Sequence, residues 1–187
     1  MKALVDDILA GNRNAFRDLV EQHERLVRQV VYRMLPNQAD REDVCQDVFV
    51  KVYQNLAGFE FNCKLSTWIA RIAYNTALNH LDKKRVPLLG DCIDENTTTD
   101  HWPTESPSTE LFAENREMAV KLATEIDALP VMYGVVLSLY HLQEMKYNEI
   151  AEILRVPIGT VKNYLFRARQ MLKDRLVSRF AAEELCA

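Results

Sequence analysis

The feature that most constrains this fold is the spacing of apolar residues between positions 15 and 35. Most of them lie three or four residues apart: Phe16, Leu19, Val20, Leu26, Val27, Val30, Val31 and Met34. This spacing puts them on one face of a long amphipathic helix, in which His23 fills the one gap and which Pro36 should end. Because only five glycines and six prolines interrupt 187 residues, we predict an all-α fold.

Two further helices are predicted in the N-terminal half. The first, from about Asp40 to Leu56, carries four apolar residues on one face: Val44, Val48, Phe49 and Val52. The second runs from about Ser66 to Lys84, with Ser66 as its N-terminal cap. The helical pattern returns at Arg116.

The composition changes between these two helical parts. Residues 86–115 contain seven acidic residues, no Lys or Arg, and three prolines, Pro87, Pro103 and Pro107. Such a composition is typical of a linker. We therefore predict two small helical domains, residues 1–85 and 116–187, joined by an acidic flexible linker at 86–115.

The charge is divided unevenly along the chain. The net charge of −4 arises from +2 in residues 1–85, −7 in the linker and +1 in residues 116–187. Residues 64–85 hold five basic residues against Asp82 alone, and residues 155–179 hold seven against Asp174 alone. A basic helix in each domain indicates a polyanion as partner, although a solvated surface would give the same pattern.

Several classes of protein are not supported by the sequence. No apolar run is long enough for membrane insertion, and two aspartates interrupt the N-terminus where a signal peptide is apolar, so we expect a cytoplasmic protein. Cys45, Cys63, Cys92 and Cys186 form no metal-binding or disulfide pattern, and we expect free thiols, no metal and no cofactor. No catalytic motif or paired carboxylates in a pocket context indicate an enzyme or a small-molecule substrate.

Residues 148–172 have the pattern of a helix-turn-helix. Ala151 is the small residue where the helices would cross, Val156 lies in the turn, and Pro157 suits the first turn of the second helix. The inner face of that helix would be formed by Ile158, Val161, Leu165 and Leu172. Arg155 stands at the turn position where glycine in the left-handed conformation is usual, so we expect a backbone strain of about 1 kcal/mol there. The alternative is an ordinary helical hairpin.

The outer face of that second helix would then be free to contact DNA. It would present Lys162, Asn163, Phe166, Arg167 and Arg169. Such side chains can reach phosphates and base edges in the major groove.

Several sequence motifs lie in the two halves of the chain. In the C-terminal part they are Tyr147-x-Glu149-Ile150-Ala151, Ile158-Gly159-Thr160-Val161-Lys162 and Phe166-Arg167-Ala168-Arg169. In the N-terminal part they are Asp43-Val44-Cys45-Gln46-Asp47-Val48-Phe49 and Ser66-Thr67-Trp68-Ile69-x-x-Ile72-Ala73-x-Asn75 with Asn79. Together they resemble the motifs of bacterial RNA polymerase sigma factors of the extracytoplasmic-function (ECF) type, group 4 of the sigma-70 superfamily. The resemblance covers nearly the whole chain. It implies a region 2 domain at 1–85 and a region 4 domain at 116–187.

The resemblance implies a polymerase-docking face on the second helix. Asp43, Gln46, Asp47 and Val50 recur at i, i+3, i+4 and i+7, which makes a largely polar stripe opposite the apolar face. A solvent face is the alternative. By resemblance, the partner is core RNA polymerase, with the clamp coiled coil of its largest subunit on this stripe and its second-largest subunit also in contact. An anti-sigma factor is a further expected partner.

The resemblance also implies residues for promoter DNA. For the single strand these are Phe61, Asn62, Lys64, Asn75, Asn79, Lys83 and Lys84, since the loop before Ser66 resembles one that captures a flipped base, and amides can donate and accept at a base edge. Phe59 and Trp68 are better explained as core residues. For the duplex they are Gly159, Thr160, Lys162, Asn163, Phe166, Arg167, Arg169 and Lys173. The acidic linker resembles the family segment that enters the active-site cleft, but simple spacing explains it equally well.

A transcriptional regulator with a similar helix-turn-helix is the main rival to this interpretation. A receiver domain would show alternating strands and helices with an acidic pocket, and residues 1–85 show neither. Comigration with core RNA polymerase in gel filtration would separate the two, because a regulator of this kind binds duplex DNA alone.

Overall fold

The computed structural model describes residues 2–84 and 122–185, so the predicted linker and Arg85 lie outside the described residues. All regular secondary structure within these two ranges is helical, which confirms the predicted fold class. The helices are α1 (Lys2–Leu9), α2 (Arg13–Met34), α3 (Gln38–Asn55), α4 (Leu65–Lys84), α5 (122–127), α6 (Val131–His141), α7 (Tyr147–Leu154) and α8 (Ile158–Leu185), with a 3-10 turn at Leu56–Gly58. None of the described helices is both long and apolar enough to cross a membrane.

Helix α2 has the buried face that its periodicity predicts. Leu19, Val27 and Val31 are fully buried, and His23 fills the gap with its Nδ1 atom 2.9 Å from the carbonyl oxygen of Leu19. The helix ends at Met34, two residues before Pro36. The predicted extent of this helix is therefore confirmed to within about one turn.

Asparagine side chains cap two of the N-terminal helices. The Oδ1 atom of Asn12 accepts from the backbone N–H of Asn14 at 3.0 Å at the start of α2, and Asn37 accepts from Ala39 at 2.9 Å at the start of α3. Such caps satisfy backbone donors that have no partner within the helix. The predicted cap at Ser66 is wrong, because α4 begins at Leu65 and Ser66 lies inside its first turn.

The helix-turn-helix is present as α7, a short turn and α8. Arg155 occupies the left-handed region at φ 56°, as the sequence predicts, and its backbone N–H donates to the carbonyl of Ala151. Val161 and Leu165 are buried on the inner face of α8. Ile158, predicted on the inner face, is instead 44% exposed, because it is the first residue of α8 and periodicity does not show how far along a helix the packed face extends.

The N-terminal and C-terminal halves pack directly on each other. Helix α2 contacts α6, and α4 contacts α7. A single cluster of buried apolar residues runs through both halves and includes Ile69 of α4 and Ile150 of α7, both fully buried. The two halves therefore share a buried core across their boundary, and a second, smaller cluster of Ile126, Leu129, Leu137 and Ala168 lies within the C-terminal half. The sequence did not predict this contact between the two helical domains.

Polar groups also join the two halves. The Nη1 atom of Arg33 on α2 donates to Asp127 of α5 at 2.6 Å, and the Tyr74 hydroxyl of α4 lies 3.9 Å from the sulfur of Met132 on α6. Burial lowers the pKa of Arg33, while the charge and hydrogen bond of Asp127 raise it. Arg33 thus brings a largely buried cation into the boundary between the two halves.

Candidate nucleic-acid interface

One face of α3, which we call the α3 stripe, carries the four residues of the predicted docking face. Asp43, Gln46, Asp47 and Val50 are all exposed, and Val50 is 52% exposed. The opposite face of α3 is buried. The stripe is thus free to contact another molecule without disturbing the core.

Tyr53 extends the α3 stripe by one turn, and sequence reasoning missed it. Its side chain is 54% exposed, and its ring meets that of Phe16 edge to face at a centroid distance of 5.0 Å. The ring contact orients Tyr53 without burying it. Its position three residues after Val50 places it on the same face of the helix and could have identified it, but a tyrosine on a helix is usually assigned to the core.

Residues 59–64 form an aromatic loop between α3 and α4. The Phe59 ring lies 4.7 Å from that of Phe61 and 5.2 Å from that of Trp68. Phe59 and Trp68 are buried, which confirms their assignment to the core, whereas Phe61 is 42% exposed. Phe61 also has a positive φ of 57°, a strained conformation for an aromatic residue that often marks functional loops.

A pocket of about 270 Å³ opens beside the aromatic loop. It is lined by Gly58, Phe59, Glu60, Asn62, Cys63, Trp68, Arg71 and Glu152. Of the predicted loop residues, Asn62 lines this pocket, and its Nδ2 atom donates to Glu60 at 2.9 Å. Burial raises the pKa of the Cys63 thiol, and the nearby Glu152 carboxylate raises it further.

The predicted polar side chains of α4 follow one another along a single edge. Asn75 is partly buried, while Asn79 and Lys83 are exposed, and steps of four residues place all three on one side of the helix. Arg71 continues the same edge toward the aromatic loop, and sequence reasoning did not single it out although the four-residue spacing was visible. We call Arg71, Asn75, Asn79 and Lys83 the α4 edge. The prediction for Lys84 concerns a side chain that lies outside the described part of the structure.

Two carboxylates of α7 reach across to the aromatic loop and the α4 edge. Glu149 lies 3.0 Å from the Nζ atom of Lys64, and Glu152 accepts from the Nη1 atom of Arg71 at 2.8 Å. The Thr67 hydroxyl lies 3.5 Å from Glu149. Burial raises the pKa of Glu149, but the Lys146 backbone N–H and the Lys64 ammonium together hold this pKa below its usual value.

The outer surface of α8, which we call the α8 face, exposes nearly all the residues predicted to contact the duplex. Those exposed are Gly159, Lys162, Asn163, Phe166, Arg167, Arg169 and Lys173, while Thr160 is half-buried. Phe166 is 69% exposed, an unusual position for so large an apolar side chain. A Cβ on Gly159 would meet nothing within 4 Å, so the packing of the described residues does not account for this glycine.

Arg169 differs from Arg167 in having partners within the protein. Its Nε and Nη2 atoms lie 3.3 and 3.2 Å from the Nε2 atom of His141, and its guanidinium stacks over the Tyr140 ring at 5.2 Å. Burial lowers the pKa of His141, and the positive charge of Arg169 lowers it further. These contacts hold Arg169 against α6.

Two further basic residues of α8 also have partners within the protein. Arg175 donates to the buried carboxylate of Glu125 on α5 at 2.9 Å, and Arg179 donates to the same carboxylate. The hydrogen bond from Arg179 and that from Arg175 hold the pKa of Glu125 below its usual range despite its burial. Part of the basic charge of residues 155–179 therefore fastens α8 to α5.

Comparisons with known proteins cover the same two halves. A family model described as Sigma-70 region 2 matches residues 19–86, and one described as Sigma-70, region 4 matches residues 119–172. The ECF RNA polymerase sigma factor SigW of Bacillus subtilis is 31% identical over 180 residues, which cover 94% of this chain and 96% of SigW. The ECF RNA polymerase sigma-E factor of Escherichia coli is 32% identical over 179 residues, which cover 94% and 93%.

A solved structure has a similar fold. The sigma factor RpoE from Bartonella quintana, crystallised with the anti-sigma factor NepR, matches with a TM-score of 0.63 at 20% identity, over 86% of this chain and 96% of RpoE. At this identity the likeness concerns the fold alone.

Proposed function

Because this chain belongs to the ECF sigma factors of bacterial RNA polymerase, we propose that three surfaces divide the work of transcription initiation among them. The α3 stripe docks on the clamp coiled coil of the largest subunit of core polymerase. The aromatic loop and the α4 edge hold the melted strand, and the α8 face reads the duplex. The observation that carries this assignment is that the α3 stripe, Phe61, the Asn79 and Lys83 end of the α4 edge and nearly all of the α8 face are exposed, while the inner faces of these three helices are buried.

The proposed domain boundaries follow the changes in composition along the chain. Residues 1–85 form the polymerase-docking and melting domain, residues 86–115 the linker, and residues 116–187 the duplex-reading domain. The matched family ranges, 19–86 and 119–172, support these boundaries. The linker serves as a spacer between the domains or enters the active-site cleft of the polymerase.

The protein acts in the cytoplasm as an initiation factor without an enzymatic activity of its own. It needs no metal or small cofactor, since the polymerase performs the chemistry. An anti-sigma factor is a further partner, which is supported by the fold shared with RpoE in its complex with NepR. A membrane-bound anti-sigma factor would hold the chain at the inner membrane.

Reconstitution with core RNA polymerase tests the function directly. Sequencing of transcripts should reveal start sites that core polymerase alone does not use. Asn79→Ala should reduce initiation on duplex templates, because an amide at a base edge would be lost from the α4 edge. A premelted bubble template should restore it. If the bubble template gives no recovery, Asn79 has no part in holding the melted strand.

Charge reversal on the α3 stripe should weaken polymerase binding. Asp47→Lys places a like charge against a basic partner helix, and we expect a loss of about 2 kcal/mol or more, above tenfold in Kd. The helical circular dichroism spectrum should not change, because Asp47 is exposed. Competition for core polymerase measures the affinity, with Asp18→Lys on α2 as the control. Equal affinities of both variants would remove Asp47 from the docking surface.

A further inference from the structure

Arg169 lies on the α8 face, but contacts with α6 hold its side chain. We infer that His141 is the positioning residue for Arg169: neutral His141 keeps the guanidinium against α6, and protonated His141 releases it to the phosphates of duplex DNA, so that acid strengthens duplex binding. This inference rests on the proposed function, because it concerns the control of the surface assigned there to the duplex.

The position of Arg169 on α8 suits a phosphate contact. Steps of four, three and four residues separate Lys162, Phe166, Arg169 and Lys173, which places all four on one side of the helix. All four are exposed. Arg169 therefore stands between Phe166 and Lys173 in the row of side chains that we assign to the duplex.

The hydrogen bonds between Arg169 and His141 exist in only one protonation state of the histidine. The Nε and Nη2 atoms of Arg169 lie 3.3 and 3.2 Å from the Nε2 atom of His141. A guanidinium can only donate, so Nε2 must accept, which requires a neutral imidazole with its proton on Nδ1. Protonation of His141 places a hydrogen on Nε2 and sets two cations against each other.

The groups around His141 come from every helix that packs on α6. They are Arg169 from α8, Tyr140 from α6 itself, Tyr147 from α7, Gln29 from α2, and Glu144 and Lys146 from the turn after α6. Burial lowers the pKa of His141, and of these groups Arg169 alone adds to the shift. The tyrosines titrate near pH 10, far above the histidine. Between about pH 5 and 7, protonation of His141 is therefore the change of charge that reaches Arg169.

Release of Arg169 does not require α8 to move. Val161, Leu165 and Ala168 are buried on the inner face of the helix and fix its position. The guanidinium of Arg169 also stacks over the Tyr140 ring at 5.2 Å, and stacking leaves the N–H edge of the group free for a phosphate.

Acid should therefore have opposite effects on the free protein and on its complex with DNA. Because the pKa of His141 is lowered in the folded protein, its contribution to stability is present at neutral pH and is lost as the pH falls through the folded pKa. Phosphates favour both the charged imidazole and the released guanidinium, so duplex binding should raise this pKa and take up a proton.

The pH profile of duplex binding tests the inference. Fluorescence anisotropy of the full chain with a dye-labelled pool of random duplex DNA measures the affinity from about pH 7.5 to 5.5. His141→Gln removes the titration but keeps an amide oxygen that can accept from Arg169. His80→Gln is the matched control, because it removes a histidine from α4, where the ring lies 3.6 Å from Asp40. Arg169→Gln tests whether the effect passes through Arg169.

We expect the wild type to bind about three- to tenfold more tightly at the acid end, which corresponds to a rise of about 0.5–1 in the pKa of His141 on binding. Its salt slope should rise by about one. His80→Gln should keep this gain, and His141→Gln should lose it. In Arg169→Gln the gain should fall to about twofold or less, because an exposed imidazolium alone is screened by salt.

Two results would overturn the inference. An equal acid gain in the wild type and in His141→Gln would show that His141 is not the titrating group. A full gain in Arg169→Gln would show that His141 acts by its own charge and does not position Arg169.

The outcome is separable from that of the proposed function. If the wild type directs initiation by core polymerase but gains no more in acid than His141→Gln, the function holds and the inference is wrong. If the wild type directs no initiation, the proposed function itself fails. Circular dichroism at each pH verifies that the variants are folded.

Discussion

Replacing Asp127 with alanine should destabilise the protein by about 3 kcal/mol, because the substitution leaves the guanidinium of Arg33 in the interior without its counter-charge. The Arg33 side chain is only 12% exposed, and its Nε atom already has no hydrogen-bond partner among the described residues. The loss should appear as a lower midpoint in urea denaturation, followed by circular dichroism. The variant should also weaken the packing between the two halves, since Arg33 lies on α2 and Asp127 on α5.

Replacing Arg33, the other partner of this ion pair, should reduce the free energy of unfolding much less. In Arg33→Met the remaining carboxylate is 32% exposed and can be hydrated. The Arg33 stem packs close to Gly134, since a Cβ added at Gly134 would lie 3.5 Å from Cδ of Arg33. Methionine keeps an apolar stem at this place. We expect a loss of about 1 kcal/mol or less. As the control, Glu24→Ala breaks an exposed pair with Arg28 and should cost under about 0.5 kcal/mol. Equal losses in Asp127→Ala and Arg33→Met would contradict the argument.

Arg167→Ala should weaken specific duplex binding by about 1–3 kcal/mol and relax the sequence preference at one position. Arg167 lies one turn after Asn163 on the α8 face, and the buried Val161 and Leu165 fix the angle of the helix against the core. The position of Arg167 is thus fixed before DNA binds. The measurement is binding of the full chain to a library of duplex promoter elements at two salt concentrations.

Lys173→Ala separates base contacts from backbone contacts in the same assay. Lys173 is exposed on the α8 face, and a residue that only meets phosphate should weaken all sequences alike and lower the salt slope by about one. If Arg167→Ala gives that second pattern and leaves the preference profile unchanged, Arg167 contacts the backbone and reads no base.

The helices were predictable because their information is local. The spacing of apolar residues in α2, the left-handed residue at Arg155 and the exposed positions of the α3 stripe all follow from a few neighbouring residues. Helix α1 was not predicted. It has only eight residues and ends just before Gly11, whose φ of 92° suits glycine, so its pattern is too short to stand out.

The packing between the halves was not predictable from the same signals. Arg33 and Asp127 are 94 residues apart in the chain, and nothing in the periodicity of either helix identifies the other as its partner. The sequence likewise offers no reason to pair Glu152 with Arg71, since charged residues on helices are usually solvated. Arg169 shows the same difficulty: its position favours DNA, while its nearest partners are His141 and Tyr140.

The shared core has a consequence for the nascent chain. Helices α2 and α4 leave the ribosome before α6 and α7, which cover part of them in the finished protein. About 70 residues separate the end of α4 from the end of α7, which corresponds to about 4–14 s of translation. During that interval the apolar surface later covered by α6 and α7 is exposed to solvent, so the need for chaperones should be greatest before the C-terminal half is released.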